Sequence, residues 1–314
     1  MRISFIATIF NEEKTIEVFL TSVLSQSILP DEIILVDGGS TDATVEKVQN
    51  AKFKVQNYNV KFKIIVKRGN RSVGRNEAIT HARGDIIVCS DAGCELDKDW
   101  IKHITKPFKD MSVDVVAGYY KGKSQTIFQK CLIPYVLVMP DRVDLNNFLP
   151  ATRSMAFKKI TWKKTGGFPE NFSHNEDYVF ARHLKKINAK IFFEKKAIAY
   201  WKPPVNVLQA YTMFFRFAYG DAEAGIVRPK VLLLFTRYLL FFIVVLQYLV
   251  DKNPFLLQVL LLWILLYIVW SIKKNYTYVK DTKAFFYLPS LQIISDVAVM
   301  RGTVFGALHI PIFY

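Results

Sequence analysis

Ile33-Ile34-Leu35-Val36-Asp37-Gly38-Gly39-Ser40-Thr41-Asp42 passes from four apolar residues straight into an acidic, glycine-containing loop. A short apolar run rich in β-branched residues reads as a buried strand, and the Asp-Gly-Gly-Ser sequence as the turn that ends it. Thr41 or Asp42 is placed to cap a following helix that carries Val45 and Val48. The same alternation extends in both directions. Upstream, Ile3 to Ile9 reads as a strand, and Lys14 to Gln26 carries Ile16, Phe19, Leu20, Val23 and Leu24 at helical spacing. Downstream, Phe62 to Val66 is a third strand, Val73 to Ala82 a helix ended by Gly84, and Asp85 to Ser90 a fourth strand, with Val113 to Ala117 a candidate fifth. This pattern specifies an α/β domain: a mostly parallel sheet with helices on both faces. Ligands in such sheets sit beyond the carboxyl ends of the strands, where Thr8, Asp37 and Asp91 fall.

Composition bounds the rest. The chain has 314 residues, 51% of them hydrophobic, and Lys+Arg 42 against Asp+Glu 27 gives +15. That excludes a disordered chain, a collagen-like repeat and a small disulfide scaffold. It suggests a basic soluble part joined to an apolar membrane part. No zinc-finger spacing, basic heptad region or RNP-like aromatic run is present, so no nucleic acid is expected as a partner. Cys89, Cys94 and Cys131 form no C-x-x-C pair and are expected to be reduced cytosolic thiols. After Met1-Arg2, Ile3 to Phe10 is an apolar stretch of strand length with no small-residue cleavage site after it, so it is not read as a signal peptide.

The mixed region from about 120 to 205 contains a helix expected at Glu176 to Lys186 and a short strand at Ile191 to Phe193. Val205 to Tyr219 is amphipathic and aromatic. Val231 to Val250 then carries a single charge, Arg237, and Phe255 to Ile272 none. At ~1.5 Å per residue each approaches the ~30 Å hydrocarbon thickness of a bilayer. Asp251-Lys252-Asn253-Pro254 joins them as a transmembrane hairpin, within which Arg237 is expected to snorkel to the near surface. Phe285 to Ile310, with Pro289, Asp296, Arg301 and the spaced pair Gly302 and Gly306, is open to three readings: a third span, a re-entrant hairpin or an interfacial helix. Arg216, Arg228 and Lys230 precede the hairpin and Lys273, Lys274, Lys280 and Lys283 follow it, while the turn has only Lys252. The positive-inside rule therefore puts both flanks in the cytoplasm.

Three acidic sites carry candidate chemistry. Asp37 can accept hydrogen bonds from a base or ribose, Asp91 suits a divalent cation holding a diphosphate, and one acid of Glu176-Asp177 suits a general base whose neighbour raises its pKa. Each also has an ordinary reading as a turn residue or a partner of a helix dipole.

Together these residues resemble family 2 glycosyltransferases of the GT-A fold. Ile6-Ala7-Thr8-Ile9-Phe10-Asn11-Glu12-Glu13 resembles the family's first strand and turn, and Ser22 to Ser27 its S-x-x-x-Q helix. Glu32 to Thr44 resembles its most recognisable segment, and Gly74-Arg75-Asn76 its A-R-N helix, with Gly for Ala. Ser90 to Asp97 stands at its Asp-x-Asp motif. Arg153 to Phe157, Gly166 to Glu170 and Glu176-Asp177 resemble the acceptor-side half. The resemblance implies that Thr8, Glu12 and Asp37 hold the nucleoside of a nucleotide-diphosphate sugar, that Arg75 lies near the diphosphate, and that Asp91 sits at the ribose and a divalent metal, Mg or Mn. It further implies that Asp177 is the catalytic base and that Arg153 and Glu176 lie on the acceptor side. Gly93 replaces the second Asp of the metal motif. One base without a carboxylate nucleophile implies inversion.

The expected organisation is a GT-A domain over 1–205, an amphipathic interfacial segment over 206–230, the hairpin over 231–272 and a cytoplasmic loop with a possible membrane segment over 273–314. The expected activity moves a sugar to a membrane-associated acceptor (a polyprenyl phosphate, glycolipid or saccharide precursor) at the cytoplasmic face of the cell membrane. The alternative is a catalytically silent, membrane-anchored nucleotide-sugar-binding protein, favoured by Gly93. A nucleotidyltransferase is disfavoured, because Thr8-Ile9-Phe10-Asn11-Glu12 stands where that class has a basic, glycine-rich loop.

Overall fold

The computed structural model describes residues 1–54, 60–144, 148–172 and 174–310. Strands β1 (Ile3–Ile9), β2 (Glu32–Asp37), β3 (Lys61–Val66) and β4 (Ile86–Cys89) pair in parallel in the order β3-β2-β1-β4. Helices α1 (Ile16–Leu24), α2 (Thr44–Lys54) and α3 (Arg71–His81) connect them. The period of two along β1 divides its side chains between two cores. Phe5, Ala7 and Ile9 pack with Ile16, Phe19 and Leu20 of α1, while Ile6 packs with Ala78 and Ile79 of α3. Ala43, whose carbonyl accepts from the Lys47 amide, stands at the cap of α2, and Asp42, one residue earlier, supports the helix start with its Oδ1 accepting from the Thr44 amide at 3.0 Å.

The second half of the sheet is mixed. It comprises β5 (Cys94–Leu96), α4 (Trp100–Thr105), β6 (Val115–Gly122), α5 (Ile127–Val136), β7 (Met155–Lys158), α6 (Lys159–Thr165), α7 (Glu176–Lys186) and β8 (Ile191–Trp201). The full order is β3-β2-β1-β4-β7-β6-β8-β5, with β7 antiparallel to both β4 and β6. Because β7 runs against β4, the residues that precede it, Thr152 to Ser154, lie beside those that follow β4, Ser90 and Asp91. Ser90 Oγ fixes this by donating to the Arg153 carbonyl at 2.9 Å. Strand β8 continues past the expected end at Phe193. A register shift opposite Gly118/Tyr119 absorbs the charged Lys195-Lys196, and pairing with β6 resumes at Ile198.

The chain forms two compact units. The first comprises 1–123 and 139–202, the second 124–138 and 203–314. In the second, Phe128, Cys131 and Leu132 of α5 pack with Ala210 and Phe214 of α8 (Val207–Glu223) and with Leu288 and Leu291 of α11 (Ala284–Ala307). Between them in sequence lie α9 (Pro229–Asp251) and α10 (Pro254–Val279). Among the described residues these are the two helices long and apolar enough to cross a membrane, and most of their surface is not covered by protein. All three cysteines are free and buried.

Helix α11 is continuous, so no re-entrant hairpin forms. Its glycines serve contact with α8: a Cβ would come within 2.3 Å of the Phe215 carbonyl oxygen at Gly302 and 2.4 Å of the Tyr219 carbonyl oxygen at Gly306. Arg237 does not snorkel. It pairs with Asp296 of α11, whose carboxylate also accepts from Tyr267 Oη at 2.7 Å and Gln292 Nε2 at 2.9 Å. A partner within the helix cluster takes up the charge through Nη2 without a reach to the surface, although the buried Nε makes no hydrogen bond.

Candidate active site

The site forms at the carboxyl ends of β1, β2 and β4 within the first unit. The β1–α1 turn and the β2–α2 loop interlock. Asn11, in the left-handed region at φ 53, donates its amide to Ser40 Oγ at 2.9 Å and accepts from the Thr41 amide at 2.9 Å. Asp37 is buried, and its carboxylate accepts from the amides of Gly39 and Ser40 at 3.0 Å and from Ser40 Oγ at 2.6 Å. It therefore shapes the loop that it ends. Glu12 donates its amide to Thr44 Oγ1 at 2.7 Å, and burial raises its carboxyl pKa against the opposing influence of Thr15 and Arg71.

Arg75 is the hub. Only 2% exposed, it donates from Nη1 to Glu176 Oε1 at 2.6 Å and from Nη2 to Asp91 Oδ1 at 3.1 Å and Thr152 Oγ1 at 3.0 Å. Helix α3 can present it because Gly74 lies against Thr8, where a Cβ would come within 2.6 Å of the Thr8 methyl. Glycine in place of the family's alanine and threonine on β1 are thus one fitted pair. The neighbouring Asn76 ties α3 to the Gly166–Glu170 loop. Its Nδ2 donates to the Phe168 carbonyl at 2.8 Å and its Oδ1 accepts from Trp162 Nε1 at 3.0 Å.

The acids separate by environment. Burial alone would raise Asp91 and Glu176. For Asp91 the guanidiniums of Arg75, Arg153 and Arg71 outweigh it and hold the carboxyl below its ordinary range. For Glu176, Arg75 does so foremost. Asp177 goes the other way: burial first, and the adjacent Glu176 charge second, raise its pKa. Glu176 is therefore taken up by Arg75, while Asp177 is the more basic carboxylate. Asn175, at φ 57, begins α7 immediately before this pair. Arg153 sits 5.1 Å from the Trp201 ring centroid and 5.7 Å from that of Tyr120, and its charge acts on both Asp91 and Asp177. Cys89, buried beneath Arg75, is pushed up by burial to about 12 and stays a neutral thiol.

The structure thus brings Asp91, Arg75, Glu176, Asp177 and Arg153 into one charge-coupled group, with Glu12 linked to it through Arg71 and Asp91. Thr8 and Asp37 flank it. Sequence reasoning missed Arg71, Thr152, Tyr120 and Trp201. Arg71, one turn before Arg75 on α3, had a signal in its spacing, whereas the other three are defined by contacts distant in sequence. Among the described residues no three His, Cys, Asp or Glu side chains converge as a metal cage. Gly93 faces open space, and Glu95 pairs with Lys123.

The family model for glycosyl transferase family 2 matches residues 4–161, and the chain belongs to that family of enzymes. Poly-beta-1,6-N-acetyl-D-glucosamine synthase from Staphylococcus epidermidis is 26% identical over 230 residues, 70% of this chain and 55% of the relative. The synthase from Staphylococcus aureus strain COL is 25% identical over 230 residues, with the same shares covered. The chain spans about half the length of the curated relatives it matches. Among solved structures, the mannosyltransferase PcManGT from Pyrobaculum calidifontis, in complex with GDP-Man and Mn2+, superposes with a TM-score of 0.62 at 17% identity, covering 99% of this chain and 88% of that one. S. aureus TarS 1-349 in complex with UDP-GlcNAc gives 0.50 at 19% identity, covering 98% and 92%. At these identities the likeness is one of fold: a GT-A sheet with helices, followed here by long apolar helices.

Proposed function

We propose that the chain is an inverting glycosyltransferase, held in the membrane by α9 and α10, that moves a sugar from a nucleoside-diphosphate donor to a membrane-associated acceptor at the cytoplasmic face. The observation that carries this reading is the unequal treatment of adjacent acids: Arg75 pairs with Glu176, while Asp177 is left with a raised pKa. A base of that kind suits proton removal from a hydroxyl. Thr8 and Glu12 line the nucleoside end, with Asp37 holding the turn that encloses it. The acceptor oxygen attacks the anomeric carbon as Asp177 takes its proton, and the bond from that carbon to the diphosphate oxygen breaks on the opposite face. A single displacement inverts the configuration. Arg71 and Arg75 provide fixed positive charge towards the departing diphosphate. Glu176 acts through Arg75, and Arg153 with Tyr120 and Trp201 faces the acceptor side.

A divalent metal, Mg or Mn, fits this site with one protein ligand. The Asp91 side chain is 35% exposed, and such ions are commonly held by one or two carboxylates together with substrate phosphates and water. When bound, it would neutralise charge on the diphosphate. The relatives' names favour N-acetylglucosamine as the sugar, and the two superposed structures hold different nucleotide sugars, so the donor class is drawn broadly.

The test uses membranes containing the full chain, labelled UDP- and GDP-sugars, and extraction of product into organic solvent. Asp177→Asn is expected to cut transfer by ~100-fold or more with donor binding retained. Transfer at the wild-type rate removes Asp177 as the base. Donor binding by calorimetry without transfer to any lipid or saccharide acceptor favours the silent binding protein, the reading that Gly93 supports.

A further inference from the structure

We infer that the polar end of α10 holds the phosphate headgroup of an anionic glycerophospholipid. The inference rests on α9 and α10 being membrane spans, as proposed above. Helix α10 has 26 residues, about 39 Å at ~1.5 Å per residue, whereas ~30 Å of hydrocarbon takes roughly 20 of them. Counted from Pro254, the hydrocarbon is crossed by Lys273. The stretch Lys273 to Lys280 then stands at headgroup depth. There the fold opens a cavity of about 460 Å³ lined by Ile272, Lys273, Tyr276, Thr277, Lys280 and Phe285.

The lining has the chemistry of a lipid at that depth. Lys273 and Thr277 lie one turn apart on α10, and Lys280, which caps the helix in the left-handed region at φ 52, closes the same cavity. Both lysines are exposed, and among the described residues neither ammonium pairs with a carboxylate. Tyr276 and Phe285 form the apolar wall, their ring centroids 5.1 Å apart. Towards the bilayer on the same face, Val269 and Leu265 are exposed one and two turns from Lys273. A phosphate thus meets two cations and a hydroxyl, the glycerol lies on the aromatic pair, and an acyl chain continues along Val269 and Leu265. A basic pocket beside a membrane helix, on the side rich in anionic lipid, is where such headgroups bind. A soluble anion would have no use for the apolar wall and track.

The full chain is purified in a neutral detergent and mixed with equal amounts of phosphatidylcholine and phosphatidylglycerol, and retained lipid is read by native mass spectrometry. A lysine at the surface changes affinity about fivefold, so Lys273→Gln with Lys280→Gln is expected to lower phosphatidylglycerol retention about thirtyfold. The paired Arg substitutions are expected to keep it, and Lys230→Gln, at the start of α9 and outside the cavity, to leave it unchanged. Wild-type retention in the double Gln variant, or an equal loss in Lys230→Gln, overturns the site. The spans are tested separately by alkaline extraction from phosphatidylcholine vesicles. A chain extracted there loses its spans and this site together. A chain that stays inserted but shows no preference for phosphatidylglycerol loses only the site.

Discussion

Replacing Arg75 with Met tests the hub directly. Arg75 is 2% exposed and Glu176 5%, so the substitution leaves a buried carboxylate without its cation. Breaking a buried pair from one side costs ~3–5 kcal/mol. The Arg75–Asp91 contact adds little, because Asp91 is partly solvated and keeps Arg153 and Arg71 nearby. For a unit of this size, 1 kcal/mol moves Tm by ~2–4 °C, so a fall of roughly 6–20 °C is expected. Arg75→Met with Glu176→Met removes both charges and is expected to recover most of that loss. The pH dependence gives an independent sign. Glu176 has a lowered pKa in the native protein, so its contribution to stability is complete above the ordinary carboxylate range and is lost as pH falls through the lowered value. Without Arg75, burial raises that pKa instead, so the gap in Tm between wild type and Arg75→Met should narrow from pH 7 to pH 5. The assay is thermal unfolding of the full chain in detergent, followed by near-UV circular dichroism. If the double variant melts as low as Arg75→Met, and the gap is constant with pH, the pair is not the source of the loss.

Three further outcomes are expected. Because the Asp177 pKa is raised, the acidic limb of the transfer rate should lie above the ordinary carboxylate range, and Arg153→Met, which removes a charge that lowers it, should move that limb to higher pH in a kcat/KM profile. Gly74→Ala should destabilise by ~1–3 kcal/mol through its clash with the Thr8 methyl, while Thr8→Ser in the same chain should restore stability in a thermal melt. Gly302→Leu should separate α11 from α8 and lower Tm by several degrees, whereas Val304→Leu, at an exposed position two residues on, should not; equal effects would mean that the close approach at Gly302 does not matter.

The legible parts of the fold were those written in local periodicity. Strands β1 to β4 are apolar runs with turn residues at their ends, and the acids at those ends follow from the parallel topology. Strand β8 was read short because Lys195-Lys196 interrupts its apolar run, and only the register shift against β6 lets it resume. Helix α5 was missed: it is short, contains Pro134, and gains its apolar partners from elements far along the chain. The same distance hid the Asp296 partner of Arg237, 59 residues away, and the Thr152 partner of Arg75, 77 residues away. Asp177 was found from its acidic neighbour, but the division of labour between it and Glu176 depends on which of the two Arg75 reaches.

The excursion of residues 124–138 into the second unit matters for how the chain is made. A ribosome finishes α5 long before the helices that cover it. Tyr135 donates to the Leu288 carbonyl, 153 residues later in the chain, a wait of roughly 8–30 s at ~5–20 residues per second. Throughout that interval Phe128, Cys131 and Leu132 lack their packing partners in α11, although the strands before α5 have already been synthesised. Cutting the gene after residue 202 would make that interval permanent: the shortened product would retain α5 but lose α8 and α11, and would carry a bare apolar helix into solution.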